Sequence, residues 1–197
     1  HSALALRRAS RHSAGWRTSH RQAPRGAGMI RRFELTDGAL IPAESEQAPI
    51  QLYVNPDAAE REALGTLFDL DEHTLSSALD PDEVSRIETE PGRILLIWKR
   101  PTNYSGKDTF FFNVASIGML LLEGRLVVIV SDNVPLTTGA RHAAALNRPL
   151  DVLLGLLLMT IQHYLEHLKV IKMIARDLQE KINTSMENKH LIQMFNL

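Results

Sequence analysis

Apolar positions recur along the last quarter of the chain at alternating spacings of four and three. Leu157, Ile161, Tyr164, Leu168, Ile171, Ala175, Leu178 and Ile182 follow one another in this way. Such spacing makes a heptad seam, the pattern of a helix that packs along one stripe. No glycine or proline occurs after Gly155. His163, Glu166, Lys169, Lys172, Arg176, Asp177, Glu180 and Lys181 fall off the seam and are expected to face solvent. Asp151, just after Pro149, suits a first helical turn, whose exposed N–H groups favour negative charge. The pattern predicts one helix from 149 to about 195, longer than a domain of this size is wide. It should project from the body, and its seam calls for a partner helix, from this chain or from another copy. The pattern is still running at Leu197, so the helix reads as one cut inside a longer element.

Upstream, the period changes. Residues 29–35 alternate well enough for a strand, and 51–54 form a second strand candidate closed by Asn55-Pro56. Residues 57–68 carry Ala59, Ala63, Leu64, Leu67 and Phe68 as a helical stripe, with Pro56 placed where a first turn accepts it. A short helix over 72–79 stops at Asp80-Pro81. Residues 84–89 and 93–99 read as strands joined by a Pro91-Gly92 turn. Residues 110–122 and 125–131 read as a hairpin broken at Glu123-Gly124, and 138–146 as a short helix. Helices alternating with strands predict an α/β fold: a mixed sheet layered with helices (α/β/α), then the projecting C-terminal stalk helix. The organisation expected is a leader over 1–28, an α/β domain over 29–148 and the helix over 149–197.

Composition narrows the chemistry. With 197 residues there is room for one domain and an appendage. There are no cysteines, which removes disulfides and thiolate metal sites. No charge-free apolar run approaches the roughly 20 residues of a membrane span. The net charge of -1 hides an asymmetry. Residues 1–28 hold six of the 22 basic residues and no acid, leaving 16 against 23 acids, or -7, for the rest. That leader, rich in Arg, Ser and His, reads as appended non-native or disordered sequence; transit peptide and nucleic-acid tail are its other readings. An acidic body argues against a nucleic-acid surface and suits divalent cations. Nothing resembles a phosphate loop or a nucleophile elbow, so no catalysis and no organic cofactor is expected. Trp98 and Phe110-Phe111-Phe112 read as core.

The segment from Leu70 to Arg100, LDEHTLSSALDPDEVSRIETEPGRILLIWKR, carries a His at the start of a short helix, a D-P-acidic turn, and Arg86-Ile87-Glu88 before an apolar strand. With the hairpin over 117–130 and the opening Leu150-Asp-Val-Leu-Leu, it resembles the cytoplasmic N-terminal region of CorA-like magnesium and divalent-cation transporters. The resemblance implies a funnel of five copies, whose long helices run on toward two membrane spans in the cell (inner) membrane. It also implies a cytoplasmic place for this domain. The family's Gly-Met-Asn pore signature is absent, since Gly118-Met119 is followed by Leu120. In magnesium-gated members, acids of the short helix face an acid on a neighbour's stalk. By register those positions are Ser76, Ser77 and about Met159, none of them a carboxylate.

Two constellations remain as cation candidates. Asp80, Asp82 and Glu83 crowd one turn, with Asp69, Asp71 and Glu72 behind them, and offer the hard oxygens that Mg2+ prefers. His163 and His167, four apart on one helical face, have a spacing that suits Zn2+, Co2+ or Ni2+. The expected function is a cation-sensing, self-assembling domain that binds no nucleic acid. The rivals are a soluble interaction module, whose seam binds another protein, and a small α/β enzyme with an unrecognised pocket.

Overall fold

The computed structural model describes residues 29–102, 112–136 and 146–195. The leader over 1–28, Phe110 and Phe111, and residues 138–145 of the expected short helix lie outside the described residues.

Seven strands form one sheet: β1 (Met29–Thr36), β2 (Ala39–Ala43), β3 (Ile50–Val54), β4 (Arg86–Glu90), β5 (Arg93–Pro101), β6 (Val114–Leu122) and β7 (Arg125–Val130). Their spatial order is β2-β1-β3-β7-β6-β5-β4. All neighbours are antiparallel except β3 and β7, which run parallel with Ile50 opposite Leu126 and Val54 opposite Val130. Alternation along β7 divides the core. Leu126, Val128 and Val130 point to one face and Val127 and Ile129 to the other, and all five are buried. A strand apolar on both faces belongs in the middle of a sheet covered twice.

Helices α1 (Ala58–Phe68) and α2 (Glu72–Leu79) cover one face, burying Leu64, Phe68, Leu75 and Ala78 against Tyr53, Ile97, Leu120 and Ile129. Asp57 caps α1 in a capping box: its carboxylate accepts from the Glu60 N–H at 2.9 Å and Glu60 returns a bond to the Asp57 N–H. Pro56 therefore stands ahead of the cap, not within the first turn. Asp71 caps α2 from one side only, its carboxylate accepting from the Thr74 N–H at 2.7 Å.

The opposite face is covered by α3 (Pro149–Phe195), so the fold is α/β/α with a long C-terminal helix. Asp151 accepts from the N–H groups of Asn147 and Arg148 at the head of α3. Val152, Leu153, Leu156 and Met159 then pack on Leu52, Leu96, Ile117, Met119 and Val128. Val170 is the last buried residue of α3 among those whose side chains are described. The remaining 25 positions to Phe195 carry the helix roughly 37 Å further at 1.5 Å each.

Several boundaries differ from the sequence expectation. β2 was not expected, being short and holding Pro42, yet Asp37 and Gly38, at φ 52° and 77°, turn β1 back onto it. Residues 84 and 85 lie outside any strand or turn, so β4 starts at Arg86. β6 starts at Val114, leaving Phe112 outside the strand. Leu146 is not helical; its N–H donates to the Gly38 carbonyl, tying the approach to α3 to the first hairpin.

Candidate functional site

The face of α3 seated on the sheet is a different stripe from the heptad seam expected to meet a partner helix. Its buried positions run Val152, Leu153, Leu156, Met159, Thr160, His163, His167 and Val170, a stripe at helical spacing. His163, expected in solvent, is only 6% exposed and His167 5%. The difference at His163 has a plain cause: the sheet covers positions by their angle around the helix, whatever their hydropathy, and these include Thr and His. Of the seam residues, Leu157 and Tyr164 are half-buried, and Ile161, Leu168, Ile171, Ala175, Leu178 and Ile182 are exposed. Leu154, Leu158 and Leu165 join them on the surface, so the outward side of α3 is a broad apolar strip beginning over the body and continuing past it.

The seat itself is polar at its outer end. Strand alternation places Leu96, Trp98 and Arg100 on the α3 face of β5. The Trp98 indole N–H donates to Thr160 Oγ1 at 2.8 Å, and that hydroxyl donates to the Leu157 carbonyl at 2.8 Å. Arg100, 5% exposed, pairs its guanidinium with Asp132, just beyond β7. Burial pushes the Arg100 group down from its usual value, and Asp132 opposes that shift. His163 and His167 meet edge to face with ring centroids 4.5 Å apart, and Phe112 meets His167 likewise at 5.2 Å. Burial, then His167, then Arg100 hold the His163 imidazolium pKa down at about 4; burial also lowers that of His167. No motif in the sequence marks the Trp98–Thr160 and Arg100–Asp132 contacts. Period-two alternation from Leu96 was the available signal for placing both strand residues on the helix side.

On the opposite face, the acidic turn after α2 is anchored from below. Lys99 Nζ donates to the carbonyls of Pro81 at 2.6 Å and Asp80 at 3.4 Å and to Ser116 Oγ at 2.9 Å. Ser116 in turn donates to the Asp80 carbonyl. A lysine at the last carbonyls of a helix is favoured by the helix dipole. Asp80 Oδ1 accepts from the Asp82 N–H at 2.8 Å, and Asp82 is exposed. Glu83 is committed elsewhere: it accepts from Ser77 Oγ at 2.8 Å and the Val84 N–H at 3.0 Å, and pairs with Arg86 at 3.1 Å. The Ser77 hydroxyl, then the Val84 N–H, then Arg86 hold its carboxyl below the usual range. Asp69 and Asp71 lie instead on a groove of about 370 Å³ shared with Glu88, Glu90 and Arg93.

The expected cation residues are thus split. His163 and His167 lie under α3, whereas the acids sit beyond the other face. Among the described residues, no three His, Asp or Glu side chains are grouped so as to hold a metal ion. Ser77 and Met159 are buried within this one chain, Ser77 under α2 and Met159 under α3, while Ser76 is exposed. Among the described residues no helix is long and apolar enough to cross a membrane.

Residues 52–197 match the family model described as CorA-like Mg2+ transporter protein. Among solved structures, the soluble domain of CorA from Methanocaldococcus jannaschii aligns with a TM-score of 0.41 at 20% identity, covering 55% of this chain and 42% of that one. The complete CorA magnesium transporter from the same organism aligns with a TM-score of 0.39 at 17% identity, covering 58% of this chain and 35% of that one. The chain therefore spans less than half the length of either. No curated protein matches.

Proposed function

The chain belongs to the CorA-like Mg2+ transporter family, and from that premise we propose that it forms the cytoplasmic, cation-sensing part of a divalent-cation transporter. In this reading it assembles with further copies, five in the full protein, through the outward strip of α3. The observation that carries the reading is that strip: Leu154, Leu158, Ile161, Leu165, Leu168, Ile171, Leu178 and Ile182 are exposed on one helix. Contiguous exposed apolar surface of this kind marks an interaction site. Helix-to-helix packing along such a seam is the burial that best suits its spacing.

The cation enters through charge. Residues 29–197 carry -7, so apposed copies repel, and bound Mg2+ between carboxylates offsets that repulsion. The turn at Asp80 and Asp82 is the proposed contact, since Lys99 fixes its backbone while Asp82 faces solvent. Loss of cation loosens the assembly and lets the long helices move.

Light scattering on the full chain at high concentration, with and without millimolar Mg2+, tests the reading. Self-association that Mg2+ strengthens supports it, and a monomer in both conditions refutes it. Co-purification with an unrelated helical protein in place of self-association would favour an interaction module. For the site, Mg2+ is expected to raise the melting temperature and Asp82→Ala to shrink that rise. An undiminished rise in the variant removes the turn from the site.

A further inference from the structure

The sheet ends in two outer strands, β2 and β4, and their edges are not alike. The Asp37-Gly38 turn closes on the pair Thr36–Ala39. In a two-residue hairpin that pair exchanges both backbone bonds, so the alternate residues Leu40 and Pro42 turn their backbone outward. Pro42 has no N–H to offer, which blunts that edge. The Pro91-Gly92 turn likewise closes on Glu90–Arg93. Arg86, Glu88 and Glu90 therefore bond to β5, and Ile87 and Thr89 present N–H and C=O outward, where no described strand meets them. No proline interrupts this second edge. Ile87 is 64% exposed, although Leu96 opposite it on β5 is buried in the core under α3. Helix α3 thus leaves the β4 margin of its own face bare. Arg86 and Glu88 stand on the other face and are bonded to each other at 2.6 Å, while Glu90 is taken by Arg93 at 2.7 Å.

We propose that β4 is a strand-addition surface whose occupant is the β4 of a second copy of this chain, paired antiparallel about Ile87. A two-fold arrangement centred there sets Ile87 against Ile87 of the second copy, Arg86 against Glu88 and Glu88 against Arg86. Thr89 then falls opposite Ser85, just ahead of the strand. The outward backbone groups of Ile87 meet their own counterparts, and main-chain bonds supply the affinity, as wherever an extended segment joins a sheet edge. The two Ile87 side chains cover each other on the α3 side of the sheet. Arg86 and Glu88 fall in the closer, non-bonded pair, where opposite charges favour pairing and like charges oppose it. Charges on an edge ordinarily hold other strands off; here they select one register. Sliding the copies so that Ile87 faces Thr89 sets Glu88 against Glu88. Five residues a side are far fewer than the roughly 20–30 of a standard interface, so the pairing is weak and reversible. It uses a different surface from the outward strip of α3 and stands whether or not that strip assembles.

The chain has no cysteine, so a single introduced thiol reports its own neighbour. In the proposed pair the two Ile87 Cα atoms stand about 5.5 Å apart, within the range a disulfide bridges. The two Thr89 Cα atoms stand roughly 13 Å apart, four steps of about 3.4 Å, too far to be bridged. The full chain carrying Ile87→Cys or Thr89→Cys is mildly oxidised at matched concentration and read by non-reducing electrophoresis. The expected result is a covalent dimer for Ile87→Cys and a monomer for Thr89→Cys. Added to Ile87→Cys, Arg86→Glu or Glu88→Arg alone should abolish the dimer by setting like charges opposite, and the two together should restore it. Circular dichroism certifies that each variant folds. Equal cross-linking at 87 and 89 overturns the proposal, because it marks chance collision or an edge without a register. A monomer for Ile87→Cys overturns it too and leaves the edge to a strand of another protein. So does a folded charge swap that fails to restore the dimer.

Discussion

Gly118 allows α2 to lie directly on the sheet, and replacing it with alanine is the sharpest test of that packing. Gly118 sits in β6 between Ile97 and Ile129. A Cβ there would stand 2.5 Å from the Ala78 Cβ, 3.5 Å from its Cα and 3.6 Å from the Ile129 Cβ. Unbonded carbons in contact rest about 3.5–4.0 Å apart, so α2 must rise by about 1 Å. It cannot slide aside cheaply, because Lys99 and Ser116 hold the carbonyls at its C-terminal turn. Overpacking of this kind costs about 1–3 kcal/mol. Gly118→Ala should lower the urea midpoint accordingly, with an unchanged slope. Ala78→Gly alone should cost about 1 kcal/mol, the helix penalty of glycine. The double variant should cost less than the sum of the two, because the clash needs both methyls. If Gly118→Ala lies within about 0.5 kcal/mol of the parent, or if Ala78→Gly recovers nothing, the close approach of α2 to β6 is wrong.

Three further perturbations probe other parts of the fold. Asp57→Ala removes the α1 cap and should cost about 1 kcal/mol in urea unfolding; no loss would mean that the capping box contributes nothing. Trp98→Phe deletes the bond to Thr160 and should cost about 1 kcal/mol, with faster amide exchange in the first turns of α3 than in α1. Asp132→Ala strands the buried Arg100 guanidinium and should cost about 1–3 kcal/mol, most of it recovered by adding Arg100→Met. If the second substitution deepens the loss instead, Arg100 has another role than pairing with Asp132.

The elements with strong local signals were readable from the sequence alone. α2 begins and ends as expected, because Asp71 caps it and Pro81 follows its end. α3 follows from an unbroken apolar period. β2 was lost because five residues with a proline carry little strand signal, although Asp37-Gly38 is a hairpin dipeptide that could have announced it. The burial of His163 was not legible for another reason. Hydropathy ranks His163 and Thr160 as surface residues, but Trp98, Arg100 and the sheet give them polar or aromatic company inside. The acidic turn was visible as a cluster of charges. That Glu83 is spent on Ser77, Val84 and Arg86 depends on tertiary contacts that no spacing reveals.

The single parallel ladder between β3 and β7 has a consequence for the order in which the molecule forms. On one side of it, β1, β2 and β3 pair with near neighbours in the chain, and on the other β4 to β7 form a meander of successive strands. Each half can close through comparatively short loops. The β3–β7 ladder joins Ile50 to Leu126 and must gather both helices and most of the meander before its first pair is made. Such distant closure is slow and entropically expensive. The two halves should therefore take shape early and separately, and their docking along β3 and β7 should set the folding rate. Until it happens, β7 presents a bare edge, apolar from Leu126 to Val130. A nascent chain is then most open to mispairing with another in the interval before docking.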